Sequence, residues 1–169
     1  HLDLLEVSGE QVDYLREKYA QYSNVNVTRS YFEEYTPDKE YDLIYSATAF
    51  HWIKCEDGYP KAWHMLREGG TMAVFWDVFF DVKHSGGIFE ELNELKKCYL
   101  PGEYLGLTLE EIKEKRIGQI TTGGWFGRPK YFEFHRQIRY DSSRFLAYLK
   151  TYSGTLMLDA DARERYLRD

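Results

Sequence analysis

The chain has 169 residues, 43% of them hydrophobic and 17% aromatic, which fits one soluble domain able to bury a core. No apolar run approaches the roughly 20 residues that span a bilayer, and residues 1–6 lack the basic start and long apolar stretch of a signal peptide. The net charge of −6, with Lys and Arg scattered among Asp and Glu, argues against a nucleic-acid partner, while two cysteines, Cys55 and Cys98, are too few for a disulfide framework and favour a reducing, cytoplasmic home.

In chain order, Leu2–Glu6 reads as a short buried strand, although Asp3 interrupts its apolar run. Ser8 is placed to cap a helix, and Gln11 three residues on completes a capping-box pattern. Val12, Leu15 and Tyr19 then recur at helical spacing to about Tyr22. Val25–Arg29, with Val25, Val27 and Thr28, predicts a second strand, and residues 41–46 a third. A helix is expected over residues 58–66, with Pro60 in its first turn and Gly69-Gly70 just beyond its end as a C-cap. Residues 71–76, nearly all apolar, predict a fourth strand with both faces covered. Helices between strands point to a mostly parallel sheet of the doubly wound kind.

Beyond residue 77 the rhythm changes. Residues 89–100 read as a helix, and Thr108 with Glu111 forms a capping box opening another to about Ile117. Residues 121–127, with three glycines around Trp125 and Phe126, predict a turn-rich loop. Residues 131–140 predict a long strand with Phe132, Phe134 and Ile138 on one face. Asp141 or Ser142 caps a helix through Lys150, and residues 160–167 form a last one. No repeat or linker divides the chain, so residues 1–169 are expected to be one domain.

The most informative stretch begins Tyr-Asp-Leu-Ile-Tyr-Ser-Ala-Thr-Ala-Phe-His-Trp-Ile at Tyr41. It resumes as Trp-His-Met-Leu-Arg-Glu-Gly-Gly-Thr-Met-Ala-Val-Phe-Trp from Trp63 to Trp76. It resembles the small-molecule class I S-adenosylmethionine-dependent methyltransferases, in particular the trans-aconitate methyltransferase-like branch. There an aromatic-Asp-Leu strand leads to an Ala-x-His-Trp helix start, and a helix ending in Leu-x-x-Gly-Gly leads into a buried strand. Lys150-Thr151-Tyr152-Ser153, Leu156 and Arg163 resemble a Thr-x-Ser … Leu … Arg segment of the same branch. The resemblance implies a Rossmann-like α/β fold and methyl transfer from S-adenosylmethionine to a small-molecule substrate. It also implies that residues 77–127 form a helical cover on the substrate side.

Several residues carry expectations from that resemblance. Glu6, ending the strand Leu4-Leu5-Glu6, matches the acidic residue that binds the cofactor ribose. A carboxylate at a strand's carboxyl end is placed to accept hydrogen bonds from both ribose hydroxyls. Ser30, Tyr31 and Phe32 lie where the adenine-contacting segment falls, although relatives carry an acid at the Ser30 position. Ser46 and Ala47 follow the third strand and are expected to line the cofactor crevice, against the alternative that they simply start a loop. His51 is the catalytic candidate, since imidazole serves as a general base near neutral pH, against a packing or capping role beside Trp52. Trp76, Phe79 and Phe80 are candidate substrate-pocket walls, or plain core. No metal site is expected, because His51, Cys55 and His64 match no common zinc spacing. Cys55 has no recognisable partners as a nucleophile.

No Gly-x-Gly-x-Gly motif precedes Leu2, and Gly69-Gly70, Gly86-Gly87 and Gly123-Gly124 sit in other contexts. The family's glycine loop passes close under the cofactor, where side chains would collide with it. The expected sheet is therefore incomplete, with the first strand and a last strand after Asp169 absent. Either the sequence is part of a longer protein, or it is a truncated one that has lost cofactor binding. The first is preferred, because a sheet without its centre leaves backbone groups unpaired. The rival function is a non-catalytic binding or assembly module whose open sheet pairs with another copy or chain. A different nucleotide-binding α/β protein, such as a dehydrogenase, stands third.

Overall fold

Short stretches of Leu, Val and Ile alternate here with amphipathic helices, and the computed structural model arranges them as parallel strand pairs. It describes residues 1–78, 87–100 and 107–168. Strands β1 (Leu2–Glu6) and β2 (Val25–Arg29) run parallel, in register from Leu2↔Val25 to Glu6↔Arg29. The chain crosses between them through α1 (Gly9–Tyr19), since parallel neighbours cannot be joined by a tight turn. Strands β3 (Tyr41–Ala47) and β4 (Leu66–Phe75) form a second parallel pair, crossed by α2 (Cys55–Met65). The fold is α/β with parallel strands, as expected. Among the described residues the strands form two separate pairs rather than one continuous sheet.

The rest of the described chain is helical: α3 (Ile88–Tyr99), α4 (Leu109–Thr121), α5 (Ser142–Thr151), α6 (Ser153–Met157) and α7 (Ala160–Arg168). Caps set several boundaries. Thr108 Oγ1 accepts the Glu111 N–H at 3.2 Å while Glu111 Oε2 accepts the Thr108 N–H at 2.7 Å, closing the expected box. Asp141 caps α5 by accepting the Arg144 N–H at 2.8 Å. No helix of the described residues is long and apolar enough to cross a membrane.

Residues His1–Asp77 and Ile117–Pro129 form one compact unit; the described residues within Val78–Arg116 and Lys130–Asp169 form another. The first has a core of Phe50, Tyr59, Ala62 and Ile120, flanked by Phe32, Ile44, Ile53 and Phe126. Phe50 and Tyr59 rings stand 4.9 Å apart, in the tilted geometry aromatic pairs prefer. Gly58 makes this packing feasible: a Cβ there would lie 2.7 Å from Ile53 Cγ2 and 3.0 Å from Phe50 Cζ. The second unit buries Leu92, Leu149, Thr155 and Tyr166.

Three local expectations are corrected. Helix α2 starts at Cys55, so Pro60 sits in its second turn; Glu56 and Asp57 in the first turn suit the positive end of the helix dipole. Gly69-Gly70 does not cap α2, which ends at Met65. It lies inside β4, where the pairing shifts register between Tyr41 and Leu43. Gly69 takes φ of 74°, and a Cβ on Gly70 would come within 2.9 Å of the Arg67 carbonyl oxygen. Residues 131–140 form no strand. Phe132 and Phe134 are exposed, and no strand edge among the described residues pairs with the segment; alternation alone does not hold a strand.

Candidate functional site

The carboxyl ends of parallel strands are where α/β proteins bind ligands, because strand ends and helix starts there leave polar groups facing a crevice. At the end of β1, Glu6 Oε1 accepts hydrogen bonds from the Val7 and Ser8 backbone N–H groups, both at 2.8 Å. Ser8 caps α1 through its Oγ, which accepts the Gln11 N–H at 3.5 Å. Its own N–H goes to Glu6 rather than back to Gln11, so the expected capping box is replaced by a clamp on the Glu6 carboxylate. The helix start favours negative charge there. The Ser30 N–H donates to the Glu6 carbonyl at 3.2 Å, bringing Glu6 and Ser30 side by side. The Ser30 hydroxyl donates to the Tyr31 carbonyl at 2.9 Å. Tyr31 is exposed, whereas Phe32 turns into the core, its ring 5.8 Å from that of Phe50.

At the ends of β3 and β4, Ser46 pairs with Val74 and Ala47 with Phe75. The next residue, Thr48, adopts φ of 49°, a left-handed conformation that is uncommon for a β-branched side chain. Two bonds hold it there: its N–H donates to the Phe75 carbonyl at 2.9 Å, and its Oγ1 accepts the Asp77 N–H at 3.4 Å. A 3-10 turn, Phe50–Trp52, follows, with Phe50 buried as its anchor and His51 exposed. Trp76 Nε1–H donates to His51 Nδ1 at 3.3 Å, and the His51 ring lies 5.1 Å from that of Trp52. The segments after β3 and β4 are thus stitched together by three hydrogen bonds.

The structure therefore gathers Glu6, Ser30 and Tyr31 at one pair of strand ends, and Ser46, Ala47, His51 and Trp76 at the other. Both groups sit in the same unit. Phe79 and Phe80 lie outside the described residues. His64 stands 5.0 and 5.2 Å from the Trp63 and Trp125 rings, and no metal-holding cluster of His, Cys, Asp and Glu occurs among the described residues.

Sequence reasoning missed a polar network at the opposite ends of the strands. The Asp3 side chain is 6% exposed and lies 3.0 Å from Lys39 Nζ and 3.0 Å from His1 Nε2. It accepts the Tyr41 hydroxyl at 2.8 Å and the Asn26 amide at 3.3 Å. Burial works to raise its pKa, but hydrogen bonds from Lys39, Tyr41 and Asn26 and the Lys39 charge hold it below the usual carboxylate value. Burial, with hydrogen bonds to Tyr35 and Asp3, pushes the Tyr41 phenol well above its ordinary range. A polar cavity of about 480 Å³ opens here, lined by Asp3, Asn26, Tyr35 and Lys39 among others. The available signal was Asp3 itself: a carboxylate inside an apolar strand demands partners.

No family model matches the chain. It is similar to malonyl-[acyl-carrier protein] O-methyltransferase 2 of Ilyobacter polytropus, 29% identical over 129 residues, which is 68% of this chain and 49% of that protein. It is also similar to malonyl-[acyl-carrier protein] O-methyltransferase 1 of the same organism, 40% identical over 73 residues, 43% of this chain and 27% of the relative. The chain spans about half the length of the first of these relatives and about a quarter of the second. Both carry methyltransferase names, which supports the resemblance to methyltransferases without supporting its trans-aconitate branch.

Proposed function

We propose that the chain contributes to an S-adenosylmethionine-dependent methyltransferase acting on a small-molecule acceptor. The observation that carries this reading is the clamped Glu6 carboxylate at the carboxyl end of β1, where a ribose needs an acceptor. Two backbone N–H groups fix Oε1, so the carboxylate is already oriented before a ligand arrives, which lowers the cost of binding. Tyr31 offers an exposed ring to adenine, and Phe32 steadies the segment through Phe50. Ser46, Ala47 and His51 would border the reactive end, where the cofactor supplies a methyl group activated by a positive sulfonium. Holding the acceptor in line with that methyl carbon accounts for much of the rate in such reactions.

For the acceptor, the relatives' names direct the first trial to an oxygen of a malonyl group presented on a carrier protein. The test is to incubate the protein with methyl-labelled S-adenosylmethionine and a malonyl thioester. Label in the acyl product is expected. Absence of transfer to this and to a panel of small carboxylic acids, amines and thiols would contradict the reading.

A further inference from the structure

The contact between Trp76 and His51 fixes more than a position. An indole nitrogen can only donate, so His51 Nδ1, which receives it at 3.3 Å, presents a lone pair and carries no proton. A neutral imidazole with a bare Nδ1 has its proton on Nε2, and the imidazolium form is incompatible with this bond. Both partners are held by the backbone around them. Trp76 directly follows β4, His51 lies in the 3-10 turn anchored by buried Phe50, and Thr48 bonds the two segments to each other.

We propose that Trp76 is a positioning residue that sets His51 as an Nε2–H hydrogen-bond donor, so that His51 orients the methyl acceptor and does not take a proton from it. The assignment of the acceptor as His51's partner rests on the methyl-transfer reading above; the tautomer itself does not. With Nδ1 engaged by the indole and Nε2 already protonated, the ring has no basic nitrogen to offer while the pair is intact. A carboxylate acceptor closes the balance without a base. It has no proton to shed, its oxygen lone pair forms the new carbon–oxygen bond, and the carbon–sulfur electron pair goes to sulfur.

Long-range proton–nitrogen NMR of the ¹⁵N-labelled protein near neutral pH tests this directly, with His51→Gln identifying the His51 signals. Nδ1 is expected to appear as an unprotonated, hydrogen-bonded nitrogen and Nε2 as protonated. Trp76→Phe, which keeps the aromatic body and removes only the donor, should release a mixture of the two neutral tautomers. An Nδ1–H tautomer or an imidazolium in the unmodified protein, or identical spectra for the unmodified protein and Trp76→Phe, would overturn the proposal. These spectra need neither cofactor nor acceptor, so they are decided separately from the activity. In turnover, His51→Ala should lose about 100-fold in kcat, the scale of one lost donor. His51→Gln, which keeps an N–H, should lose less than about tenfold. Equal losses in the two variants would contradict the donor role.

Discussion

The Tyr41 hydroxyl donates to Asp3 Oδ2 at 2.8 Å, tying the amino end of β3 to that of β1. It joins two strand pairs that share no backbone ladder among the described residues. Because Asp3 also meets Lys39 and Asn26, the carboxylate is the hub of that junction. Asp3→Asn should destabilise the protein by about 1–3 kcal/mol at neutral pH, the range for a hydrogen-bonded charged group, as measured by urea unfolding. Lys39 is 39% exposed, so its ion pair adds little of that total.

The same group sets an acid dependence. Its folded-state pKa lies below the unfolded value of about 3.9, so its contribution is present above that pH. The contribution fades as pH falls through the folded value. Unfolding midpoints followed from neutral pH to below about pH 4 should therefore drop more steeply for the unmodified protein than for Asp3→Asn. Parallel curves would show that Asp3 does not set this acid dependence.

Gly58 is a packing glycine. Alanine would gain helix propensity, yet its Cβ would strike Ile53 and Phe50 in the core. Gly58→Ala should destabilise by about 1–3 kcal/mol, as overpacked cores do, and thermal unfolding would register it.

Thr155 offers the opposite case. Its side chain is fully buried and its Oγ1 has no hydrogen-bond partner among the described residues, so the hydroxyl was stripped of water without compensation from them. Thr155→Val keeps the shape and removes that hydroxyl; it should leave stability unchanged or raise it by up to about 1 kcal/mol. Thr155→Ala, which empties volume instead, should lower it. A loss in both variants would mean that the hydroxyl is used.

Much of this fold is legible in the sequence because the signals are local. The β-branched Val25, Val27 and Thr28, and Ser8, Thr108 and Asp141 as caps, determine their elements from within a few residues. What was illegible depends on distant partners. Gly69-Gly70 permits a positive φ equally at a helix end or at an irregular strand start, and only the pairing with Tyr41 decides. Residues 131–140 carry a strand's alternation without a neighbouring edge among the described residues. In the candidate site, Glu6 stands out as an acid at a strand end. Its double backbone clamp comes from the next two residues, whereas the bonds that hold the strained Thr48 and the His51–Trp76 bond exist only once segments 25 to 29 residues apart are brought together.

Calorimetric titration with S-adenosylhomocysteine probes the proposed role of Glu6 in a cofactor site. The protein should bind saturably in the micromolar range, and Glu6→Ala should weaken binding by about tenfold or more, or about 1.4 kcal/mol. An absence of heat at millimolar ligand, or equal affinity for the unmodified protein and Glu6→Ala, would contradict it.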